Sequence, residues 1–275
     1  MARALGVSES SLKRWCDQGH LEFALTAGGH RRLPASAVLA FARAHGHRVV
    51  APAELGLVES QGSTSELDLR TRLMRLLVAG EESAVSQFLT GLMAAGRSVE
   101  ELCDGLIMPA FADLGEAWAG GDLEIYEERR ACELAARALV DLSQLAPRLS
   151  RRPVKAVGGT LLGDPYALPT LMAEATLRHQ GLDARSLGVA LPASTLVAAV
   201  HNLKPKLVWL TVGAVADESA LVNEVEVLER AARAEGAALV LGGRALRPAL
   251  RTRLPHAVYC DGMRSLAAFG RALVR

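Results

Sequence analysis

The spacing of apolar residues changes twice along the chain and divides it into three parts. Residues 1–50 combine short helical patterns with glycine turns, and residues 66–150 keep helical spacing throughout. Residues 153–275 alternate short apolar runs with helical stretches. Small and polar residues dominate 51–65, as expected of a linker. The pattern predicts a multi-domain protein with a small α+β domain, an all-α bundle and an α/β domain.

The third part has the alternation of strands and helices that is typical of a parallel sheet. Loops of small residues follow three of its predicted strands, at 161–166, 211–213 and 242–243. The carboxyl ends of parallel strands share one edge of a sheet, and ligands bind at that edge. We therefore predict a Rossmann-like or flavodoxin-like α/β domain with a parallel five-stranded sheet and a ligand site at this edge. The predicted strands are 154–160, 184–187, 207–212, 238–241 and 257–260.

The second part has the pattern of four helices joined by short turns. One apolar stripe begins at Leu69 and a second at Val85, and Ser98 has the spacing of a capping-box start for the third helix. Pro109 is predicted to break or kink this third helix, because proline lacks a backbone N–H. The last helix is predicted over 125–145. Short connections between amphipathic helices indicate a four-helix bundle.

The first part has the spacing of a helix-turn-helix. Gly6 separates helical patterns at 2–5 and 10–18, and a pair of glycines at 28–29 predicts a hairpin tip beside basic residues. Such a tip is a wing that can reach the phosphate backbone, whereas the second helix would meet base edges and phosphates. We therefore predict a winged helix-turn-helix domain. Its predicted DNA contacts are Ser10, Ser11, Lys13 and Arg14 on the helix and His30, Arg31 and Arg32 on the wing.

Composition narrows the class of protein further. Half of the 275 residues are apolar, yet no run approaches the length that crosses a bilayer, and the first residues do not resemble a signal peptide. The four cysteines lie far apart without a CxxC pair, which favours thiols in a reducing compartment over a zinc site. These features predict a cytoplasmic protein without membrane association. No Ser-His-Asp, Cys-His or paired-acid arrangement can be named, so we predict no enzymatic activity.

The first fifty residues resemble a known family of DNA-binding proteins. The stretch LGVSESSLKRWCDQGHLEFALTAGGHRRLPASAV is similar to the winged helix-turn-helix of MerR-type regulators and of related excisionase-like domains. The similarity is most specific at GVS, LKRW and GGHRR. It implies binding to double-stranded DNA, usually as a dimer or higher oligomer on repeated or palindromic half-sites.

The order of the three parts resembles the cobalamin-dependent photoreceptor regulators of the CarH/LitR type. In that family a tryptophan, followed about ten residues later by Glu-His, covers the upper face of the corrin. Trp118 and Glu128 match this bundle motif, and Arg129 stands where the histidine would be. The resemblance implies a cofactor contact for these three residues.

The α/β part resembles the same family at three loops. The family motif Asp/Glu-x-His-x-x-Gly supplies a histidine that binds cobalt from below; here Asp164 matches and Tyr166 replaces the histidine. The family's Ser-x-Leu element reads Thr211-Val212-Gly213, and its Gly-Gly pair is intact. The resemblance implies that the cofactor contacts are Asp164, Tyr166, Thr211, Gly213, Gly242 and Gly243.

The exchange of histidine for tyrosine leaves the cofactor open. Neutral imidazole is a good ligand for transition metals, whereas a phenol with a pKa of about 10 is a poor one unless the metal lowers that pKa. None of the seven histidines falls on a motif position. Three hypotheses follow: cobalamin bound without the usual histidine ligand, another tetrapyrrole such as a bilin or a haem with Tyr166 as axial ligand, or no cofactor and a site kept only for oligomerisation.

The main functional hypothesis is a transcription regulator that binds double-stranded DNA as a homo-oligomer, either dimer or tetramer. Its bundle and α/β part would sense a tetrapyrrole or light and change the oligomeric state. One alternative is a ligand-independent DNA-binding regulator with a vestigial cobalamin domain. Another is a corrinoid carrier or enzyme, against which the DNA-binding domain and the replaced histidine both count.

Overall fold

The structure, a computed structural model, describes residues 1–25, 30–55, 65–254 and 257–274. The chain forms two compact units, Met1–Pro147 and Arg148–Arg275. The predicted hairpin tip, including the glycines at 28–29, and most of the predicted linker lie outside the described residues. The domain boundaries proposed within the first unit therefore stay predictions.

The first unit opens with the predicted helix-turn-helix. Gly6 ends the first helix with a φ of 63°, a left-handed conformation that glycine adopts without strain. The Ser8 hydroxyl starts the second helix by accepting the backbone N–H of Ser11 at 3.2 Å. Leu12 and Cys16 of that helix are buried in a small core with Phe41. The elements are α1 (Ala2–Leu5), α2 (Glu9–Asp17), the antiparallel pair β1 (Ala24–Leu25) and β2 (Arg31–Arg32), α3 (Ala35–Ala44) and a 3-10 turn (Pro52–Leu55).

The rest of the first unit is helical, as predicted. Capping boxes start two of its helices, at Ser65 and at Ser98, and Gly80 and Gly121 end two helices in left-handed conformations. Leu73, in the apolar stripe of the first of these helices, is 1% exposed. The elements are α4 (Glu66–Ala79), α5 (Glu82–Ala94), α6 (Val99–Leu102), a π-helical turn (Cys103–Ile107), α7 (Met108–Gly120) and α8 (Ile125–Gln144).

The third helix of the bundle is irregular one turn earlier than the sequence predicted. Helical structure runs without a gap from Val99 to Gly120, and Pro109 lies immediately after the π-helical turn at Cys103–Ile107. A proline ring clashes with the carbonyl four residues earlier in a regular α-helix, and proline has no N–H to donate. A wider π-helical turn is a known way to accommodate such a defect inside a continuous helix.

The second unit is the predicted α/β domain, with a five-stranded parallel sheet in the order β4-β3-β5-β6-β7. All five predicted strands are present. The strand β3 pairs with both β4 and β5, so the order of winding reverses between β3 and β5, which is where ligands bind in such sheets. The elements are β3 (Lys155–Gly159), α9 (Ala167–His179), β4 (Asp183–Ser186), α10 (Ala193–Leu203), β5 (Leu207–Thr211), α11 (Glu218–Ala234), β6 (Ala238–Gly242), α12 (Pro248–Arg251), β7 (Val258–Tyr259) and α13 (Met263–Val274).

Each face of the sheet has its own apolar core. One face packs on α10 and α11, and the other packs on α9 and α13. Trp209 fills the second face and is 1% exposed. Its ring lies on Gly158 of the neighbouring strand, where an added Cβ would overlap Trp209 Cδ2. The indole N–H donates to Thr170 Oγ1 at 2.9 Å, so the buried polar atom is satisfied.

Candidate DNA-binding surface and sheet-edge site

The helix α2 presents cations on its exposed face. Lys13 and Arg14 are exposed, and among the described residues neither forms an ion pair. Ser10 and Ser11 are less available, because both hydroxyls lie within 3.0 Å of the capping hydroxyl of Ser8. The opposite face of α2 is apolar and packs inward. An exposed basic face on the second helix is what a recognition helix requires.

The three predicted wing residues do not share one environment. His30 and Arg32 are exposed, whereas the side chain of Arg31 is 28% exposed and turns back onto α2. Its guanidinium donates to Asp17 Oδ1 at 2.5 Å and to the backbone carbonyl of Lys13 at 3.1 Å. Arg31 therefore differs from Lys13, Arg14 and Arg32, because among the described residues it is the one of these four cations that forms an ion pair.

In the bundle, the three residues that match the cobalamin motif lie near the turn between α7 and α8. Trp118 is 49% exposed, an unusual position for so large an apolar ring. Glu128 accepts a hydrogen bond from Cys132 Sγ at 3.3 Å, and Arg129 Nε lies 3.5 Å from its other oxygen. Burial, and next the hydrogen bond with Glu128, raise the pKa of Cys132 to about 12. The bundle thus holds Glu128 in place and leaves the Trp118 ring available for contact.

At the sheet edge, Asp164 joins the loops that follow β3 and β5. Its carboxylate accepts the backbone N–H of Gly213 at 2.5 Å and that of Tyr166 at 3.1 Å. Its backbone carbonyl accepts the Thr160 hydroxyl at 2.6 Å. Asp164 is only 3% exposed, so it acts as a buried cross-link between two loops.

Tyr166 lies between the same two loops and a third one. An added Cβ at Gly213 would lie 3.0 Å from Tyr166 Cδ2, so the ring packs against that backbone. The guanidinium of Arg244, directly after Gly243, lies 5.0 Å from the ring centroid, and its Nε donates to the carbonyl of Gly213 at 3.2 Å. The sequence analysis did not select Arg244, although its position after the glycine pair was a signal. Tyr166 is 40% exposed, so one side of the ring stays accessible.

The remaining residues of the sheet edge are two glycines, at which backbone segments lie close together, and a threonine whose hydroxyl has no partner among the described residues. Gly243 has a φ of 128°, and an added Cβ would overlap the Val212 carbonyl oxygen, so only glycine fits there. Gly242 pairs in register with Thr211. The Thr211 hydroxyl is buried and has no hydrogen-bond partner among the described residues. A buried hydroxyl without a partner costs roughly 1–3 kcal/mol, so a ligand group that met it would gain that hydrogen bond.

A cleft of about 330 Å³ opens at the same edge, between the loop after β3 and the start of α11. It lies at the point where the sheet order reverses, which is the expected ligand position in this fold. Apolar side chains form most of the wall, which also includes the acidic residues Asp164, Asp217 and Glu224. The wall includes Leu161, Leu162, Val212, Val215, Leu221 and Glu224.

These residues fit a corrinoid only in part. The cleft of about 330 Å³ has room for only part of a ligand as large as a corrinoid, and the unpaired Thr211 hydroxyl, at the end of the strand beside it, offers one hydrogen bond. The residues offer no good protein ligand for cobalt at this position. Tyr166 has a phenol in place of an imidazole, and the guanidinium of Arg244 lies over its ring. The described residues also contain no group of three or more His, Cys, Asp or Glu side chains that could hold a metal ion. Tyr166 therefore does not fit the role of a protein ligand to cobalt, because a phenol is a poor substitute for an imidazole.

The predicted sites divide between the two units. The structure brings Asp164, Tyr166, Gly213 and Arg244 into direct contact in the second unit. Trp118, Glu128 and Arg129 belong to the first unit, together with the candidate DNA-binding surface. None of the helices in the described residues is both long and apolar enough to cross a membrane.

Comparison with known proteins identifies two families within the chain. Residues 1–46 match the family described as a helix-turn-helix domain, and residues 69–140 match the family described as a B12 binding domain. The HTH-type transcriptional repressor CarH of Myxococcus xanthus is 29% identical over 179 residues, which cover 65% of this chain and 58% of the repressor. The chain thus spans little more than half the length of this relative.

A solved structure supports the fold. The monomethylamine corrinoid protein of Methanosarcina barkeri superimposes with a TM-score of 0.59 at 13% identity, covering 76% of this chain and all of that one. At such low identity the likeness concerns the fold alone. The comparisons name B12 and corrinoid, and they lend no support to the haem and bilin hypotheses. The chain therefore contains one stretch that matches a helix-turn-helix family and one that matches a B12 binding domain family, and part of its sequence is similar to the CarH repressor.

Proposed function

We propose that this chain is a DNA-binding transcription regulator. The observation that carries the proposal is the exposed basic face of α2, where Lys13 and Arg14 have no ion pair among the described residues. Arg32 adds an exposed cation on the wing. Cations without an intramolecular partner release counterions when they meet phosphate, which supplies much of the affinity for DNA. The similarity to a transcriptional repressor supports the same conclusion.

The test selects a binding sequence from a random pool of duplex DNA with the full chain and then measures affinity at several salt concentrations. For Lys13→Ala and Arg14→Ala we expect weaker binding, and a slope of log K against log salt that is shallower by about 0.9 for each phosphate that is no longer neutralised. Arg75→Ala, which removes an exposed cation from α4, is the matched control and should leave both quantities unchanged. Failure to enrich any sequence, or identical slopes for all four proteins, would contradict the proposal.

We also propose that the ligand of the regulator is a cobalamin held without a protein ligand to cobalt. The match to the B12 binding domain covers the bundle residues Trp118, Glu128 and Arg129, and the exposed Trp118 ring offers a flat apolar contact. In the α/β unit, the Thr211 hydroxyl at the end of β5 offers one hydrogen bond, and the neighbouring cleft has room for part of the ligand. A bound corrinoid would supply a cobalt centre with an exchangeable upper ligand. Sensing of light would depend on that ligand.

Absorbance tests this part of the proposal. The purified chain is mixed with hydroxocobalamin or adenosylcobalamin in the dark, passed through a gel-filtration column and scanned for the corrin bands. We expect cobalamin to co-elute with the protein, and Trp118→Ala to reduce the amount retained. Val227→Ala, which removes an exposed apolar side chain from α11, is the control. Protein that elutes without corrin bands would contradict cobalamin binding.

A second candidate is a ligand-independent regulator whose C-terminal part serves assembly. It is favoured by the closed network in which Asp164, Tyr166, Gly213 and Arg244 satisfy one another without a ligand. Both candidates include a dimer or tetramer, because linking two DNA-binding domains raises their effective concentration at the operator. Sedimentation with and without cobalamin, in the dark and after illumination, separates them. Only the cobalamin sensor changes its oligomeric state or DNA affinity between these conditions.

A further inference from the structure

We propose that Arg31 is a positioning residue that fixes the wing to the recognition helix, and that Arg32 next to it is the wing's phosphate contact. This inference rests on the proposed DNA-binding function and assigns different roles to two adjacent arginines. Arg31 and Arg32 form the strand β2, and their side chains lie on opposite sides of it, as alternation along a strand requires. Arg32 is exposed, and among the described residues it has no ion pair.

The contacts of Arg31 lie in the last turn of the recognition helix. Asp17 is the last residue of α2, where the negative end of the helix dipole makes a carboxylate unfavourable. The Arg31 guanidinium offsets this charge at 2.5 Å from Asp17 Oδ1. It also donates to the carbonyl of Lys13, one turn before the helix end, at 3.1 Å. A side chain from the wing is therefore tied to the last turn of α2 by two hydrogen bonds.

A third contact joins the other strand of the hairpin. The guanidinium carbon of Arg31 lies 4.9 Å from the centroid of Phe23, which immediately precedes β1. One guanidinium thus connects α2, the approach to β1 and β2. An ammonium group could not replace it, because the planar fork of arginine makes several directed hydrogen bonds and stacks on a ring at the same time.

The charge of Arg31 is compensated before DNA binds. The carboxylate of Asp17 already neutralises it, so few counterions are released from Arg31 when the complex forms. The charge of Arg32 has no such partner in the described residues. Salt dependence therefore distinguishes the two arginines, although loss of either is expected to weaken binding.

The experiment measures the affinity of the full chain for a selected DNA duplex at several salt concentrations. Arg32→Ala should reduce the slope of log K against log salt by about 0.9. Arg31→Ala should lower affinity by a similar factor at every salt concentration and leave the slope unchanged. Arg31→Lys should behave as Arg31→Ala, because it keeps the charge and loses the fork. A shallower slope for Arg31→Ala, together with near-normal binding by Arg31→Lys, would show a phosphate contact and overturn the proposal.

A double-mutant cycle on thermal unfolding, followed by circular dichroism, gives a readout that does not need DNA. Asp17→Asn and Arg31→Ala remove the two sides of the contact, and their effects should not add in the double variant. Additive effects would overturn the proposal even if the variants bind DNA. If the wild-type chain binds no DNA, the proposed function fails, and the cycle still decides whether Arg31 holds the wing. Stronger, more salt-dependent binding by Asp17→Asn would also overturn it, since a released Arg31 would then be contacting phosphate.

Discussion

At the scale of single residues, burial and a carboxylate one helical turn away together raise the pKa of the Cys132 thiol. Glu128 accepts its hydrogen bond at 3.3 Å, while burial is the larger cause of the raised pKa, which reaches about 12. A thiol with such a pKa stays protonated at neutral pH, and the thiolate is the form that reacts with alkylating reagents. Cys132 is therefore expected to be slow to alkylate in the folded protein.

Removing the carboxylate should change this reactivity. For Glu128→Gln we expect alkylation of Cys132 by iodoacetamide to begin at a lower pH, because the negative charge and the strong acceptor are gone. Mass spectrometry of the Cys132 peptide at a series of pH values measures the change. Cys260 is the internal control, since burial raises its pKa and Glu128 is not among the causes. An unchanged pH profile for Cys132 would show that Glu128 has no part in setting its pKa.

The sequence predicted which stretches hold the candidate sites better than it predicted the role of each residue in them. The basic pair Arg31 and Arg32 was predicted at a hairpin tip and forms the strand β2, but nothing in the pattern shows which of the two faces α2. The deciding partner, Asp17, lies fourteen residues away along the chain, and the contact exists only after the hairpin folds back. Arg244 was missed for the same reason, because its partner Tyr166 follows a different strand.

At the scale of elements, the two faces of β5 pack against different helices. Leu210 and Val212 face α10 and α11, whereas Trp209 and Thr211 alternate with them and face the side of α9 and α13. Trp209 fills that side down to the backbone of Gly158, which leaves no room for a side chain there. Stability of the sheet therefore depends strongly on one indole.

The cost of losing that indole can be predicted. Trp209→Ala should lower the free energy of unfolding of the α/β unit by about 3–5 kcal/mol, the usual range for a buried aromatic residue replaced by alanine. Trp118→Ala removes the same side chain from a half-exposed position and should change the free energy of unfolding by less than about 0.5 kcal/mol. Denaturant titration followed by circular dichroism compares the two. Equal losses would contradict the difference in packing described for these tryptophans.

The strands and most helices were predictable because apolar spacing alone determines them. Four of the five strands coincide with apolar runs, whereas β4 has Ala184 as its one apolar residue, and the capping box at Ser98 is present. The π-helical turn before Pro109 was not predictable. A proline shows that one helical hydrogen bond is missing, but not which local geometry accommodates the loss. The order of the elements could therefore be predicted from the sequence pattern, whereas the local geometry depends on tertiary packing.

At the scale of the whole molecule, the DNA-binding part and the sheet edge belong to different compact units. If cobalamin is the signal, its binding free energy at the sheet edge must bias the assembly that presents the DNA-binding domains. Tyr166 is the residue at which this edge departs most from the related regulators. Changing it tests whether the departure limits the affinity for cobalamin.

We expect Tyr166→His to raise affinity for cobalamin and to shift its visible spectrum, because imidazole is a far better cobalt ligand than phenol. Tyr166→Phe, which keeps the ring and removes the hydroxyl, should do neither. Spectral titration with hydroxocobalamin measures both quantities. Equal behaviour of the histidine and phenylalanine variants would show that position 166 does not reach the cobalt, and it would favour the ligand-independent regulator.

The three tryptophans have a further use, because each lies in a different part of the chain. Trp15 packs against Phe41 in the helix-turn-helix core, with ring centroids 4.7 Å apart, Trp118 is half exposed on the bundle, and Trp209 is enclosed in the sheet. Indole fluorescence moves to longer wavelength and is quenched more easily when the ring meets water. Variants that keep one tryptophan each would therefore turn the chain into three separate optical reporters, one for DNA binding, one for the bundle surface and one for the integrity of the sheet.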